Sequence, residues 1–448
     1  MIEPINPSRR IDGFFYAYKM DQIYNLFLQS SGVQTDTRTI SKDCLFFCLK
    51  GGNFDGNKFA EEAIGKGALF TVIDNPDYTI EGKTILVKDT LVALQQLAQH
   101  HRRQFQIPII GITGSNGKTT SKELIAAVLQ TQYEVLYTNG NLNNHIGVPL
   151  TLLQLNSTHE IAVIEMGANK PGDIWELAEI AEPTHGIITN IGRAHLEGFK
   201  TLEGVIQTKS ELYRYIDQNR EDGVLFVNND DQILVKAVPV GTKLATYGNS
   251  GEVRGQLLRL SPYVEMTWSY GNFTSHELKT HLVGQYNFIN FLAAIRIGIY
   301  FDVTPENCSK AIESYVPSNN RSQITETAKN TLIVDCYNAN PTSMRSAIES
   351  FALIDNHVKI FILGDMREMG DDAEMVHEEI VQLTIEHRLS GFFIGEEFLK
   401  WKHLHPNAIF LKSTEPLSEH FTQNPPEGLL ILLKGSRGIQ LEKLLPLL

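Results

Sequence analysis

The run Ile109-Ile110-Gly111-Ile112-Thr113-Gly114-Ser115-Asn116-Gly117-Lys118-Thr119-Thr120 constrains this chain more than any other stretch. The apolar residues from Ile107 to Ile112 read as a buried strand, and Thr120 to Gln130 as a helix with Leu124, Ala127 and Val128 on one face. A strand that turns through glycines into a helix aims backbone N–H groups and the positive helix end at one point, which is how a fold cradles phosphate. Gly114, Ser115, Asn116, Gly117, Lys118, Thr119 and Thr120 are therefore the candidate nucleotide-binding residues. In such a loop the lysine, Lys118, reaches the terminal phosphates and the hydroxyl of Thr119 holds Mg²⁺. The strict G-x-x-x-x-G-K-[ST] spacing fails at one place, because Ile112 stands where the first glycine belongs.

Length and charge narrow the partners. At 448 residues the chain has room for about three domains. Its formal charge is −13, with no basic block and no interleaving of basic and aromatic residues, so nucleic acid is not an expected partner. A substrate rich in negative charge then depends on local lysines and arginines, since the global field opposes it. No apolar run reaches 18 residues and the first twenty residues do not resemble a signal peptide, so no transmembrane segment is expected. Cys44, Cys48, Cys308 and Cys336 form no C-x-x-C pair, which favours buried free thiols in a reducing cytoplasm.

The pattern of elements predicts an α/β protein of three domains. Residues 1–105 read as a small α/β unit, with strands at 44–49, 68–73 and 84–87 and helices at 58–66 and 90–104. Residues 106–317 alternate strands and helices, as in a mainly parallel sheet covered by helices. Residues 318–448 restart the alternation, with strands at 331–336, 358–363, 391–395 and 429–433, in a Rossmann-like arrangement. Glu165 closes a buried strand at its carboxyl end, where such sheets bind ligands. Taken singly, other candidates stay open. Asp36 and Arg38 are compatible with a plain surface pair, His195 with a surface or capping histidine, and Lys209 with a solvated lysine. Asn287 and Asn290 share one helical face but also suit helix caps. The loops at Asp335–Pro341, Gly364–Met366 and Lys434–Gly438 sit at strand ends like one face of a site, yet each suits a turn.

Together these residues resemble the Mur ligases, ATP-dependent amide-forming enzymes of peptidoglycan precursor synthesis. Thr113-Gly-Ser-Asn-Gly-Lys-Thr-Thr120 is similar to the variant phosphate loop of that family, and Lys118, Glu165, His195, Asn287, Asn290, Arg321 and Asp335 match family positions in order. Four passages are similar to the members that add D-alanyl-D-alanine to UDP-N-acetylmuramoyl-tripeptide: Thr138–Leu150, Glu165–Gly172, Asp335–Pro341 and Leu363–Met366. The Asp-Asn-Pro-Arg motif of the diaminopimelate-adding members is absent, while Tyr286 and Lys170 stand where histidines are common.

The resemblance implies a division of labour. The N-terminal domain binds the UDP substrate through Thr37 and Arg38. The central, P-loop ATPase-like domain binds ATP, with Asn287 and Asn290 on the adenine nucleotide. Arg321 serves the phosphates and Asp335 the ribose. Thr119 and Glu165 hold a first Mg²⁺ and His195 a second, served by a carbamylated Lys209; Lys118, Glu165, His195 and Lys209 are the catalytic set. Asn338, Asn340 and Ser436 face the dipeptide. A cytoplasmic monomer is expected. The alternatives are another Mur-family ligase (third-residue-adding or folylpolyglutamate-type), a P-loop switch, or a catalytically dead scaffold. Asn169-Lys170-Pro171-Gly172 lacks the aspartate of a guanine-reading motif, which weighs against a GTPase switch.

Overall fold

The computed structural model describes residues 20–194, 196–317, 323–354 and 358–448. The chain divides into two compact units. The first comprises residues up to Ile109 with Leu136–Met166 and Glu176–Pro183; the second comprises Ile110–Val135, Gly167–Trp175 and Thr184–Leu448.

In the first unit, short apolar strands Val33–Gln34, Leu45–Phe47, Phe70–Ile73 and Thr84–Leu86 pair in that order, all parallel. Leu45, Phe46 and Phe47 are all buried, as a strand covered on both faces requires. Cys44 and Cys48 lie within this core, packed with Ala60, Ala63 and Ile73. Helix Thr90–Arg102 begins where the Asp89 carboxylate accepts the Val92 N–H at 2.9 Å. Strand Ile161–Glu165 is buried throughout, so its terminal carboxylate is set at the edge of an apolar run.

In the second unit, residues Ile110–Thr113 of strand Ile109–Thr113 pair with His185–Ile188, followed outward by Val224–Asn228, Lys243–Tyr247 and Val253–Arg259, all parallel. The sheet then reverses sense, with Glu265–Tyr270 and Phe273–Thr274 antiparallel, which accounts for the irregular β section of the sequence. Helix Lys118–Leu129 leaves the phosphate loop with Leu124, Ile125, Val128 and Leu129 buried. It packs on helix Tyr286–Tyr300, where Gly298 lies against Val128. Burying each such aliphatic side chain contributes roughly 1.5–3 kcal/mol, so the helix carrying the loop is anchored by its own sequence pattern.

The remainder of this unit forms a six-stranded sheet in the order Gln323–Glu326, Thr331–Asp335, Leu430–Lys434, Lys359–Gly364, Ser390–Ile394 and Ile409–Leu411. Only the first strand of the sheet runs antiparallel. The three strands whose ends were singled out in the sequence are neighbours, and being parallel they deliver those ends to one edge. Asp365, just past one of them, accepts N–H bonds from Glu397 and Phe398, both at 3.0 Å. Gly395, at φ +136°, makes room for that carboxylate, which a Cβ there would overlap.

Candidate active site

The phosphate loop is shaped by its neighbouring strand end. Gly114 and Gly117 have φ of +144° and +76°, values open to glycine, and a side chain at Gly114 would collide with the Thr189 hydroxyl. The Ser115 N–H donates to the Asn190 carbonyl at 2.9 Å. The Ser115 hydroxyl donates to the Gly192 carbonyl at 3.0 Å and accepts the Gly192 N–H at 2.9 Å. The Asn116 N–H donates to Asn190 Oδ1 at 3.0 Å, and its carbonyl accepts from Asn190 Nδ2 at 2.9 Å and Thr189 Oγ1 at 2.6 Å. Lys118 folds back so that Nζ donates to the Gly114 carbonyl at 2.7 Å. Thr119 and Thr120 are buried at the helix start.

Asn287 and Asn290 brace this loop. Ser121 Oγ donates to Asn290 Oδ1 at 3.1 Å, Asn290 Nδ2 to Asn287 Oδ1 at 2.9 Å, and Asn287 Nδ2 to the Val283 carbonyl at 2.7 Å. Neither is a cap, since Gln285 holds that position without a side-chain cap bond. The amide of Asn290 also lies 3.3 Å from where a Cβ on Gly117 would stand.

Lys209 is not the solvated lysine that its sequence context suggested. It ends helix Leu202–Lys209, is 1% exposed, and lies with Nζ 5.6 Å from the Phe199 ring centroid. Ser210, with backbone angles in the helical region, ends this helix and precedes Glu211–Asn219. Burial, and then the positive charge of Lys118, hold the amine well below its ordinary pKa, against the opposing pull of Asp173 and Glu211. The two Glu211 oxygens accept the N–H groups of Gly172 and Trp175, each at 2.9 Å.

Within the first unit, Glu165 is buried at its strand end. Its N–H donates to Thr138 Oγ1 at 2.9 Å, and its Oε1 accepts from Asn143 Nδ2 at 2.8 Å. Arg38 is exposed and forks onto Asp36, with Nε 2.9 Å from Oδ1 and Nη2 2.5 Å from Oδ2. That hydrogen bonding holds the Asp36 carboxyl down at about 2. The Thr37 carbonyl accepts from Lys66 Nζ at 3.0 Å. His195 and Arg321 lie outside the described residues.

At the edge of the six-stranded sheet, Asp335 accepts from the buried Lys434 Nζ at 2.5 Å, and Lys434 also reaches the Asn338 carbonyl at 3.4 Å. Asp335 lines a cleft with Val283, Gly284, Tyr286 and Phe351. Asn338 Oδ1 accepts the Ala339 N–H at 2.9 Å. Ser436 is buried and its hydroxyl accepts the Arg367 N–H at 2.9 Å. Asn340 caps helix Pro341–Leu353, its Oδ1 accepting the Ser343 N–H at 2.9 Å, while its Nδ2 donates to Asn116 Oδ1 at 2.7 Å. The structure thus gathers the phosphate loop, Asn290 and Asn340, and sets Lys209 in the field of Lys118. Thr189, Asn190, Asn143, Glu211 and Lys434 were not singled out from sequence. Asn143 and Lys434 did lie inside stretches already marked, at a motif and a strand end.

This arrangement suits phosphoryl transfer, with a cation and helix N-terminus for phosphates and buried groups beside them. Three family models match the chain: "Mur ligase family, catalytic domain" at residues 29–102, "Mur ligase middle domain" at 112–298 and "Mur ligase, glutamate ligase domain" at 320–397. The UDP-N-acetylmuramoyl-tripeptide--D-alanyl-D-alanine ligase of Bacillus subtilis (strain 168) is 37% identical over 426 residues, covering 92% of each chain. Among solved structures, MurF from Acinetobacter baumannii has a TM-score of 0.84 at 30% identity, covering 92% of each chain. MurF ligase from Thermotoga maritima in complex with ADP has a TM-score of 0.81 at 26% identity, covering 93% of this chain and 96% of that one. The chain belongs to the Mur ligase family, in the branch whose named members are UDP-N-acetylmuramoyl-tripeptide--D-alanyl-D-alanine ligases.

Proposed function

We propose that this chain is an ATP-dependent ligase that joins D-alanyl-D-alanine to UDP-N-acetylmuramoyl-tripeptide, yielding UDP-N-acetylmuramoyl-pentapeptide, ADP and phosphate. The observation that carries the reading is the braced phosphate loop with a fully buried lysine, Lys209, in the field of Lys118. The similarity to relatives named for this reaction supports the choice of substrates.

A carboxylate is a poor acyl donor. Attack of the tripeptide's terminal carboxylate on the γ-phosphorus expels ADP and leaves an acyl phosphate. The dipeptide's amine then attacks the acyl carbon, a proton leaves the nitrogen, and phosphate departs. Lys118 neutralises the β/γ-phosphates during the first step. Bound Mg²⁺ supplies further charge neutralisation, with Thr119 and Glu165 suited to one ion and His195 with carbamylated Lys209 to a second. The hydroxyl and carboxylate donors of Thr119 and Glu165 fit a hard cation. A desolvated amine with a depressed pKa suits Lys209 to carbamate formation, which needs the neutral form. Asn287 and Asn290 steady the adenine-nucleotide side, Arg321 meets the phosphates and Asp335 the ribose. Asn338, Asn340 and Ser436 belong to the dipeptide side, and Thr37 and Arg38 to the UDP side. The working domains are 1–105 for the UDP substrate, 106–317 for ATP and 318–448 for the dipeptide. The enzyme acts as a cytoplasmic monomer. Among the described residues, no helix is long and apolar enough to cross a membrane.

Mass spectrometry of products from ATP, a panel of UDP-muramoyl-peptides and a panel of amino acids and dipeptides tests this reading. The expected dominant product is the pentapeptide from the tripeptide and D-alanyl-D-alanine. Equal turnover of meso-diaminopimelate on the dipeptide precursor would sink it.

A further inference from the structure

The contact between Asn340 and Asn116 joins the helix beside the proposed dipeptide loop to the phosphate loop. Its geometry leaves little freedom. Asn340 Oδ1 is spent on the helix cap, accepting the Ser343 N–H at 2.9 Å, while the Ser343 hydroxyl returns a bond to the Asn340 backbone N–H at 3.1 Å. The amide of Asn340 therefore presents only its NH₂ toward Asn116. Asn116 must answer with its oxygen, at 2.7 Å. Its Nδ2 is then a buried donor with no hydrogen-bond partner among the described residues. The backbone of Asn116 is already fixed on both sides by Asn190, so the side chain cannot drift to find another partner. Two residues further on, Thr342 packs on Gly192, whose N–H and carbonyl both engage Ser115. The start of helix Pro341–Leu353 thus rests on two adjacent residues of the phosphate loop, one directly and one through Gly192.

A buried donor without a partner costs stability, and an acceptor that arrives from outside recovers that cost. In a loop of this kind that acceptor is a phosphate oxygen of the nucleotide. We infer that Asn340 is a positioning residue: by occupying Asn116 Oδ1 it sets the Asn116 amide with its NH₂ free for the nucleotide. It thereby couples nucleotide affinity to the state of the loop Asp335–Pro341. This rests on the nucleotide-dependent reading above but names a residue and a direction of control that the reading does not require. Because coupling between two ligands is reciprocal, D-alanyl-D-alanine should tighten nucleotide binding by the same factor that nucleotide tightens the dipeptide.

Asn340→Ser separates the two duties of the residue, because serine also caps helices but is too short to reach Asn116. Binding of a non-hydrolysable ATP analogue is measured by calorimetry with and without D-alanyl-D-alanine, for wild type, N340S, N116S and the double variant. Loss of one neutral hydrogen bond corresponds to about fivefold in affinity. N340S is therefore expected to weaken the analogue about fivefold and to abolish its enhancement by the dipeptide. The double variant is expected to be no worse than N116S alone, as for two residues that act as one unit. A second substitution, N340D, keeps the cap but offers Asn116 an acceptor; the amide then turns its NH₂ inward, and analogue binding should fall further than in N340S. Wild-type analogue affinity in N340S, or additive losses in the double variant, would overturn the inference. Failure of the wild-type enzyme to ligate D-alanyl-D-alanine, with N340S still weakening the analogue, would instead count against the proposed substrates alone.

Discussion

Replacing Lys209 with methionine separates what its amine does for catalysis from what it does for the fold. The side chain is fully buried against Phe199, so a methionine of similar length keeps the packing and removes the nitrogen. If the amine carries a carbamate that serves the second Mg²⁺, the variant should lose roughly two to three orders of magnitude in turnover, the range for one electrostatic group at a reacting centre. Stability should move the other way. The folded chain holds this amine well below its ordinary 10.5, with burial the main cause. Between that depressed value and 10.5 the unfolded chain binds more protons than the folded one, so folding stability rises with pH through the window and reaches its full value above 10.5. Each unit of depression is about 1.4 kcal/mol, and methionine removes the whole dependence. Lys209→Met should therefore melt no lower than wild type near neutral pH. ADP release measures the rate, thermal unfolding at several pH values measures the slope, and ¹³C NMR with labelled bicarbonate detects the carbamate directly. Short carboxylates should partly restore Lys209→Ala. Full activity of Lys209→Ala in CO₂-depleted buffer would refute the reasoning.

Two further outcomes concern groups outside the reacting centre. Burial lowers the His185 pKa to about 4 from 6.5, so the imidazole's contribution is fully present above pH 6.5 and is lost as pH falls toward 4. That 2.5-unit gap corresponds to about 3 kcal/mol, and His185→Phe should flatten the acid limb of a denaturant-midpoint profile, while an unchanged limb would assign acid unfolding to other groups. Asn143→Ala removes the donor that orients Glu165, so the Mg²⁺ activation curve should shift roughly tenfold to higher concentration, with turnover largely recovered at saturation; an unshifted curve would deny Glu165 a metal role.

Elements with strong periodicity were legible in the sequence. The phosphate-loop strand, predicted at 107–112, is Ile109–Thr113, and its helix is Lys118–Leu129 rather than 120–130 because Gly117 in the left-handed region starts it early. The last domain's four expected strands are present, within a residue or so of their expected bounds. Gln323–Glu326 and Ile409–Leu411 were not anticipated: the first is short and mostly polar, and the second is an apolar run of only three residues. Site residues were legible where a local motif carried them. Those that act by contact across the fold were not: Asn190 belongs to the phosphate loop only because parallel pairing lays one strand end beside another. Taken alone, Lys209 was equally compatible with a solvated lysine, because its burial depends on packing across the fold that no spacing announces.

The fit between Asp365 and Gly395 sets an order of events for divergence. Any larger residue at position 395 meets the Asp365 carboxylate and must also adopt φ +136°. Removing the carboxylate first strands the N–H groups of Glu397 and Phe398 but opens the space. A lineage can therefore leave this pairing through position 365 and not through position 395. In a survey of relatives, a side chain at the second site should occur only where the first is no longer acidic.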